Sequence, residues 1–251
     1  LLTYCVAIAT EQGLILASDS RTNAGPDQLS TFSKMHVLFE GEDRFFVLLS
    51  AGNLATTQAV RARVRRDLED DSETSLQTVR SMGEAAEYLG HINVEVRRRH
   101  AEGPEAEADL SATFILGGQI EGREPAIYLI YPEGNYIRSS RLTRYLQVGE
   151  LKYGKPILDR LVRSDLRLDE AARIALLSMD AAMRSNVSVG PPVEVMAYED
   201  GHFRRKWHRV FSEDDSYMRE LRRSWQANLL RAFKRLPELP KPAAMPRLDD
   251  E

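Results

Sequence analysis

Three residues near the start of this 251-residue chain have types and spacing that suit nucleophilic chemistry: Thr3, Asp19 and Lys34. Tyr4 to Ala9 and Leu14 to Ala17 are short apolar runs rich in Val, Ile and Leu, joined by Thr10-Glu-Gln-Gly13, a glycine-containing hairpin turn. Folded as a hairpin, this segment sets Thr3 at the outer end of one strand and Asp19 at the end of the next, with Lys34 just beyond. A threonine hydroxyl is a poor nucleophile at neutral pH unless a base removes its proton. An N-terminal α-amine, with a pKa of about 8, is suited to that task.

The elements that must position these groups can be read along the chain. Both runs of the hairpin are too uniformly apolar for a strand with one wet face, so the sheet they form is expected to be covered on both sides. Lys34 to Phe39 and Arg44 to Leu49 flank Glu40-Gly-Glu-Asp43 as a second hairpin. Ser50-Ala-Gly52-Asn53 reads as a strand-to-helix turn with Asn53 as the cap. Apolar spacing predicts helices over Leu54 to Leu68 and Ser75 to His100, then a solvated loop over Ala101 to Asp109.

Strands follow at Ala112 to Leu116, Ala126 to Tyr131 and Tyr136 to Ile137, with Gly117-Gly118 read as a turn between the first two. Helices Gly154 to Val162 and Asp169 to Arg184 precede strands Val193 to Tyr198 and His202 to Val210. Strands, two helices, strands, two helices, strands: this order predicts an α+β fold, a four-layer α-β-β-α sandwich of two antiparallel sheets. A single domain over 1–235 is expected, closed by an extra C-terminal helix from Glu213 to Arg235. Ser212 to Asp215 matches a capping box for that helix. Its stripe of Met218, Leu221, Trp225, Leu229 and Phe233 fits packing on its own domain and packing on a neighbouring subunit equally well. The tail over 236–251, rich in proline and charge, is expected to be disordered.

Composition narrows the function. With 43% apolar and 29% charged residues the chain can bury a sizeable core, and a net charge of −4 gives no global attraction to nucleic acid or anionic membranes. No apolar stretch approaches the roughly 20 residues of a membrane helix, and no leader-like segment precedes the first strand, so a cytoplasmic protein is expected. The single cysteine, Cys5, reads as a small buried hydrophobe. The five histidines have no metal-ligand spacing, so neither a metal nor a cofactor is expected. Arg97-Arg-Arg-His100 and Arg204-Arg-Lys206 read as solvated faces.

Taken together, Thr3 at a strand start, Ala17-Ser-Asp19-Ser-Arg21, Lys34, Ala51-Gly52 and Ser185-Asn186-Val187-Ser188-Val189-Gly190 resemble the motifs of proteasome-type β subunits, which are N-terminal nucleophile hydrolases. Within that superfamily the chain is most similar to the Anbu, or ancestral β subunit, family. That likeness rests on Ser18-Asp-Ser-Arg-Thr-Asn-Ala-Gly25, Ser30-Thr-Phe-Ser-Lys-Met-His-Val37, Gly149-Glu-Leu-Lys-Tyr-Gly-Lys-Pro-Ile-Leu-Asp159 and the long C-terminal helix.

The resemblance implies roles. Thr3 would be the nucleophile and its freed α-amine the general base, with Asp19 holding Lys34, whose charge favours loss of the threonine proton. Gly52 would offer its backbone N–H to the oxyanion, and Asn23 would bind substrate backbone beside it. Asn186 and Ser188 match the place where proteasome subunits carry an aspartate and a serine that steady the amine; here the acid is an amide and the serine stands one position earlier. Glu150 stands where related subunits have a serine after a glycine. The chemistry requires removal of Leu1 and Leu2, which precede Thr3 in this sequence. Self-association into a ring or an open helical ring is implied, with peptide or protein substrate, and the sequence does not reveal whether there is an ATPase partner. Three readings stay open: a threonine peptidase subunit, an amidase for small amide conjugates, and a catalytically silent assembly subunit.

Overall fold

The structure, a computed structural model, describes residues 3–23, 29–101 and 109–240, with backbone alone at 22, 23, 29 and 30. Apolar runs that are buried on both faces organise it. In β6 (Arg44–Gly52), Phe45, Val47 and Leu49 point one way and Phe46 and Leu48 the other, and all five are fully buried. The first set packs with Cys5, Ala7, Leu14 and Leu16 of the facing sheet. The second set packs with Val60, Val64, Leu89 and Ile92 of the covering helices. A strand between two apolar layers needs no polar alternation, and this one shows none.

Two five-stranded antiparallel sheets result. One has the order β10-β1-β2-β11-β12, from Tyr145–Gly149, Tyr4–Thr10, Gly13–Asp19, Val193–Glu199 and Arg205–Phe211. The other runs β5-β6-β7-β8-β9, from Met35–Glu40, Arg44–Gly52, Ala112–Ile120, Ala126–Ile130 and Tyr136–Arg138. A short ribbon, β3 (Arg21–Asn23) with β4 (Leu29–Thr31), leads from the first sheet to the second. Helices α1 (Leu54–Glu69) and α2 (Met82–Ala101) cover the second sheet, while α3 (Lys155–Leu161) and α4 (Leu168–Ser185) lie over the first. This is the four-layer sandwich expected from the order of elements.

Local departures have physical reasons. Gly117 and Gly118 do not turn the chain; they lie inside β7, where a Cβ on Gly118 would come within 2.1 Å of Phe45 O. The expected helix from Ser75 begins only at Met82. Before it, Ser75 N–H donates to the Thr78 hydroxyl (3.0 Å) and Gln77 N–H to that of Ser75 (3.3 Å), so side chains take the donors a helix would use. Ser81 and Glu84 then start α2 through Glu84 N–H to Ser81 Oγ and Arg80 N–H to Glu84 Oε2. Strands β3, β4 and β10 have no counterpart in the sequence reading. The expected loop over Ala101 to Asp109 falls at 102–108 outside the described residues, as does the tail at 241–251.

The chain divides into two compact units, Leu1–Asp215 and Ser216–Glu251. The second holds α5 (Ser216–Phe233), which starts three residues later than the sequence suggested and carries exposed Leu229, Leu230 and Phe233. Among the described residues no helix is long and apolar enough to cross a membrane.

Candidate active site

The hairpin register delivers the site. Cys5 pairs with Ser18, so Thr3 and Asp19 meet where the first two strands diverge. Thr3 Oγ1 donates to Asp19 Oδ1 at 2.6 Å, Tyr4 N–H reaches the same oxygen at 3.0 Å, and Lys34 Nζ reaches it at 2.7 Å. Gly190 N–H donates to Oδ2 at 3.3 Å. Asp19 is fully buried and Lys34 nearly so. A carboxylate in such a place is tolerable only because a cation and several N–H or O–H donors surround it. A second acceptor, the backbone oxygen of Arg21 at 2.6 Å, fixes the Lys34 ammonium on its other side.

Thr3 is also held from behind. Its carbonyl accepts Glu150 N–H at 2.8 Å just after β10 ends. Gly149, with φ +90°, makes this approach possible, since a Cβ there would lie 2.1 Å from Thr3 O. The Glu150 carboxylate accepts Asn186 Nδ2 at 2.8 Å, and Asn186 Oδ1 in turn accepts Ser188 N–H at 3.0 Å. The amide at 186 and the acid at 150 are therefore one hydrogen-bonded pair. The two positions at which the sequence departs from the proteasome pattern are thus in direct contact. Among the described residues Asn186 and Ser188 are linked to Thr3 through Glu150 and make no hydrogen bond to it directly.

Gly52 ends β6 with φ +112°, and a Cβ on it would lie 2.3 Å from Ser111 O. The next residue, Asn53, caps α1 by accepting Thr56 N–H at 3.0 Å. Thr3, Lys34, Ser50, Gly52 and Asn53 line one wall of a cavity of about 300 Å³. The side chain of Asn23, at the end of β3, lies outside what is described. Cys5 sits behind Thr3 with its thiol donating to Ser50 O at 3.6 Å, and burial pushes the thiol up to about 12. No group of three or more His, Cys, Asp or Glu among the described residues could hold a metal ion.

Sequence reasoning reached Thr3, Asp19, Lys34 and Gly52 and the structure brings them together. It missed the direct Thr3–Asp19 bond and the backbone groups of Tyr4, Gly190 and Arg21. Side-chain types do not announce main-chain donors, although Gly149 and Gly190 were visible as glycines beside the motifs.

A buried acid–lysine pair under a threonine hydroxyl, at one end of two stacked sheets with helix pairs outside, defines a proteasome-type subunit. The family model for proteasome subunits matches residues 3–197. Among solved structures the chain is similar to Anbu (ancestral beta-subunit) from Yersinia bercovieri, with 44% identity and a TM-score of 0.88 over 95% of this chain and 100% of that one. It is likewise similar to Anbu from Hyphomicrobium sp. strain MC1, at 44% identity, TM-score 0.85, with 95% and 100% covered. A helical assembly of the Anbu complex from Pseudomonas aeruginosa matches at 42% identity, TM-score 0.88, with 95% and 99% covered. No curated protein matches the chain. The chain belongs to the proteasome-subunit family and, within it, to the Anbu branch.

Proposed function

We propose that this protein is a threonine-type amide hydrolase that cleaves peptide bonds through Thr3. The observation that carries this reading is the convergence of the Thr3 hydroxyl (2.6 Å) and the Lys34 ammonium (2.7 Å) on one oxygen of buried Asp19. With the α-amine of Thr3 free, that amine takes the hydroxyl proton as Oγ attacks the substrate carbonyl carbon. Lys34 lowers the cost of the developing alkoxide, and Asp19 holds both groups in place. The carbonyl electron pair moves to oxygen, where the Gly52 N–H and the positive end of α1 would stabilise it, a contribution of about 3 kcal/mol for one such donor. The amine then passes its proton to the leaving nitrogen, the C–N bond breaks, and water hydrolyses the ester left on Oγ.

Asn23 and Ser188 belong to this proposal as substrate-binding and amine-side residues, and Asn186 as the group that steadies Glu150 behind Thr3. Self-association is part of it too, supported by the helical assembly reported for the Pseudomonas aeruginosa relative. A second reading, an amidase for small amide conjugates, is favoured by the cavity of about 300 Å³, which is at the small end for ligand sites. Treating protein that begins at Thr3 with a threonine-directed electrophile tests the nucleophile. One covalent adduct per chain, absent from Thr3→Ala, is expected; an unmodified chain would refute the reading. Profiling peptides against small amides then separates the two substrate classes.

A further inference from the structure

The cavity beside Thr3 carries a positive charge that the proposed chemistry does not use. Arg61 lines it from α1, about two turns beyond the cap at Asn53. Lys34, the other basic side chain in the lining, is committed to Asp19 and Arg21 O. On the same helix Arg63 pairs with Asp67 and Glu95, and Arg65 with Glu69. Arg61 is partly buried and, among the described residues, forms no ion pair. Burial, and secondarily the like charge of Arg65, hold its guanidinium below the usual arginine range.

Among the described residues the rest of the lining gives Arg61 no ion-pair partner. His36 is pushed down to about 4, first by burial and then by Arg61, so it is neutral at pH 7. Asp109, the one acidic residue of the lining among the described residues, is exposed and accepts Ser111 N–H at 2.9 Å. The first turn of α1 contains no acidic residue, so its dipole adds to the positive potential of the cavity. A partly desolvated guanidinium without a counter-ion is costly, and its planar fork matches a carboxylate in two parallel hydrogen bonds. Phe32, Ala51 and Leu54 supply apolar wall for the methylenes that would carry such a group.

We infer that Arg61 makes this a site for acyl groups that bear a carboxylate: an acidic residue whose carbonyl reaches Thr3, or a γ-linked glutamyl group whose free α-carboxylate enters the cavity. The inference rests on the Thr3 hydrolase reading and names its substrate class. Both sources present the same chemistry, a carboxylate a few bonds from the scissile carbonyl.

Calorimetric binding to the full chain carrying Thr3→Ala tests it without turnover. The ligands are acetylated tripeptide amides ending in Glu, Gln or Lys, and a γ-glutamyl amide. At least one carboxylate ligand should bind tenfold or more tighter than the Gln peptide. Adding Arg61→Gln should erase that difference, and Arg61→Glu should shift preference toward Lys. Whether the Glu peptide or the γ-glutamyl amide binds better identifies the source. Equal binding across the panel, no binding at all, or an acid preference that survives Arg61→Gln overturns the inference. Thr3 plays no part in this measurement, so its failure leaves the nucleophile to the electrophile test. Conversely, Arg61-dependent binding without a Thr3 adduct refutes the hydrolase and keeps the carboxylate site.

Discussion

Lys34 Nζ lies 2.7 Å from Asp19 Oδ1, the oxygen that also accepts the Thr3 hydroxyl. The pair is desolvated, with side chains 11% and 0% exposed. Removing one member strands the other, so Lys34→Met should destabilise the protein by about 3 kcal/mol, and Asp19→Asn by a similar amount. The double variant should recover part of that loss, because no buried charge is then left alone. Denaturant titration of the four proteins measures the coupling. Thr3 labelling should be lost in all three variants, including the restabilised one; strong labelling of the double variant would show that the ion pair is structural only.

Behind Thr3 the constraint is steric. In Gly149→Ala the new Cβ would meet Thr3 O at 2.1 Å, Thr3 C at 2.8 Å and Thr3 Cγ2 at 2.9 Å, in addition to the strain of φ +90°. Gly122 has φ +74° with nothing within 4 Å, so Gly122→Ala isolates the backbone term, about 1–2 kcal/mol. Gly149→Ala should cost clearly more and should slow Thr3 labelling, whereas Gly122→Ala should leave labelling unchanged. Equal costs would mean that the strand can move away freely.

The contact between Glu150 and Asn186 gives a pH-dependent prediction. Asn186→Asp places a second carboxylate on Glu150 at the former hydrogen-bond distance of 2.8 Å. Two carboxylates so close cannot both ionise cheaply, so the pair binds a proton more tightly in the folded state than in the unfolded one. A raised acid pKa costs nothing below the unfolded value of about 4 and costs most once pH exceeds the raised value. The variant should therefore match the parent near pH 4 and fall about 2 kcal/mol behind it at pH 8. Adding Glu150→Gln restores an acid–amide pair with the acid exchanged, and the deficit at pH 8 should largely disappear. A single variant as stable as the parent at pH 8 would show that the two side chains separate freely.

How much of this was legible follows from the kind of signal each feature leaves. Tyr4 to Asp19 reads as a hairpin because two apolar runs bracket a glycine turn, and its register carries Thr3 to Asp19 without further information. The pair Gly117-Gly118 misled because glycine was read for its torsional freedom. Its use here is the missing Cβ, which lets β7 lie against Phe45 O, and only the neighbouring strand reveals that. The strand at Tyr145–Gly149 has Gln147 in its middle and no glycine or proline turn just before it, so no bracketed apolar run marks it. Glu150 and Asn186 are 36 residues apart and meet only once β10 and α4 are packed, so two departures that read separately in the sequence become one contact. Arg61 is one of four arginines in α1 and nothing in the sequence sets it apart; that it forms no ion pair among the described residues is visible only in three dimensions.

His36 gives the last prediction, one that concerns the same cavity. Burial, reinforced by Arg61, pushes its imidazole down to about 4 from an ordinary 6.5. The folded state thus refuses a proton that the unfolded state accepts as pH drops below 6.5. Stability should fall through that window with an added slope approaching about 1.4 kcal/mol per pH unit, levelling off near pH 4 where the folded state also protonates. In His36→Gln the added slope disappears, while the carboxylate contributions to acid unfolding remain, so the difference between the two proteins isolates the histidine. Arg61→Gln removes the smaller of the two causes and should flatten the slope only partly, because burial remains. Denaturant melts at half-unit steps from pH 7 to pH 4 on the three proteins provide the comparison. Parallel curves for parent and His36→Gln would mean that His36 takes up its proton in the folded cavity as readily as in water.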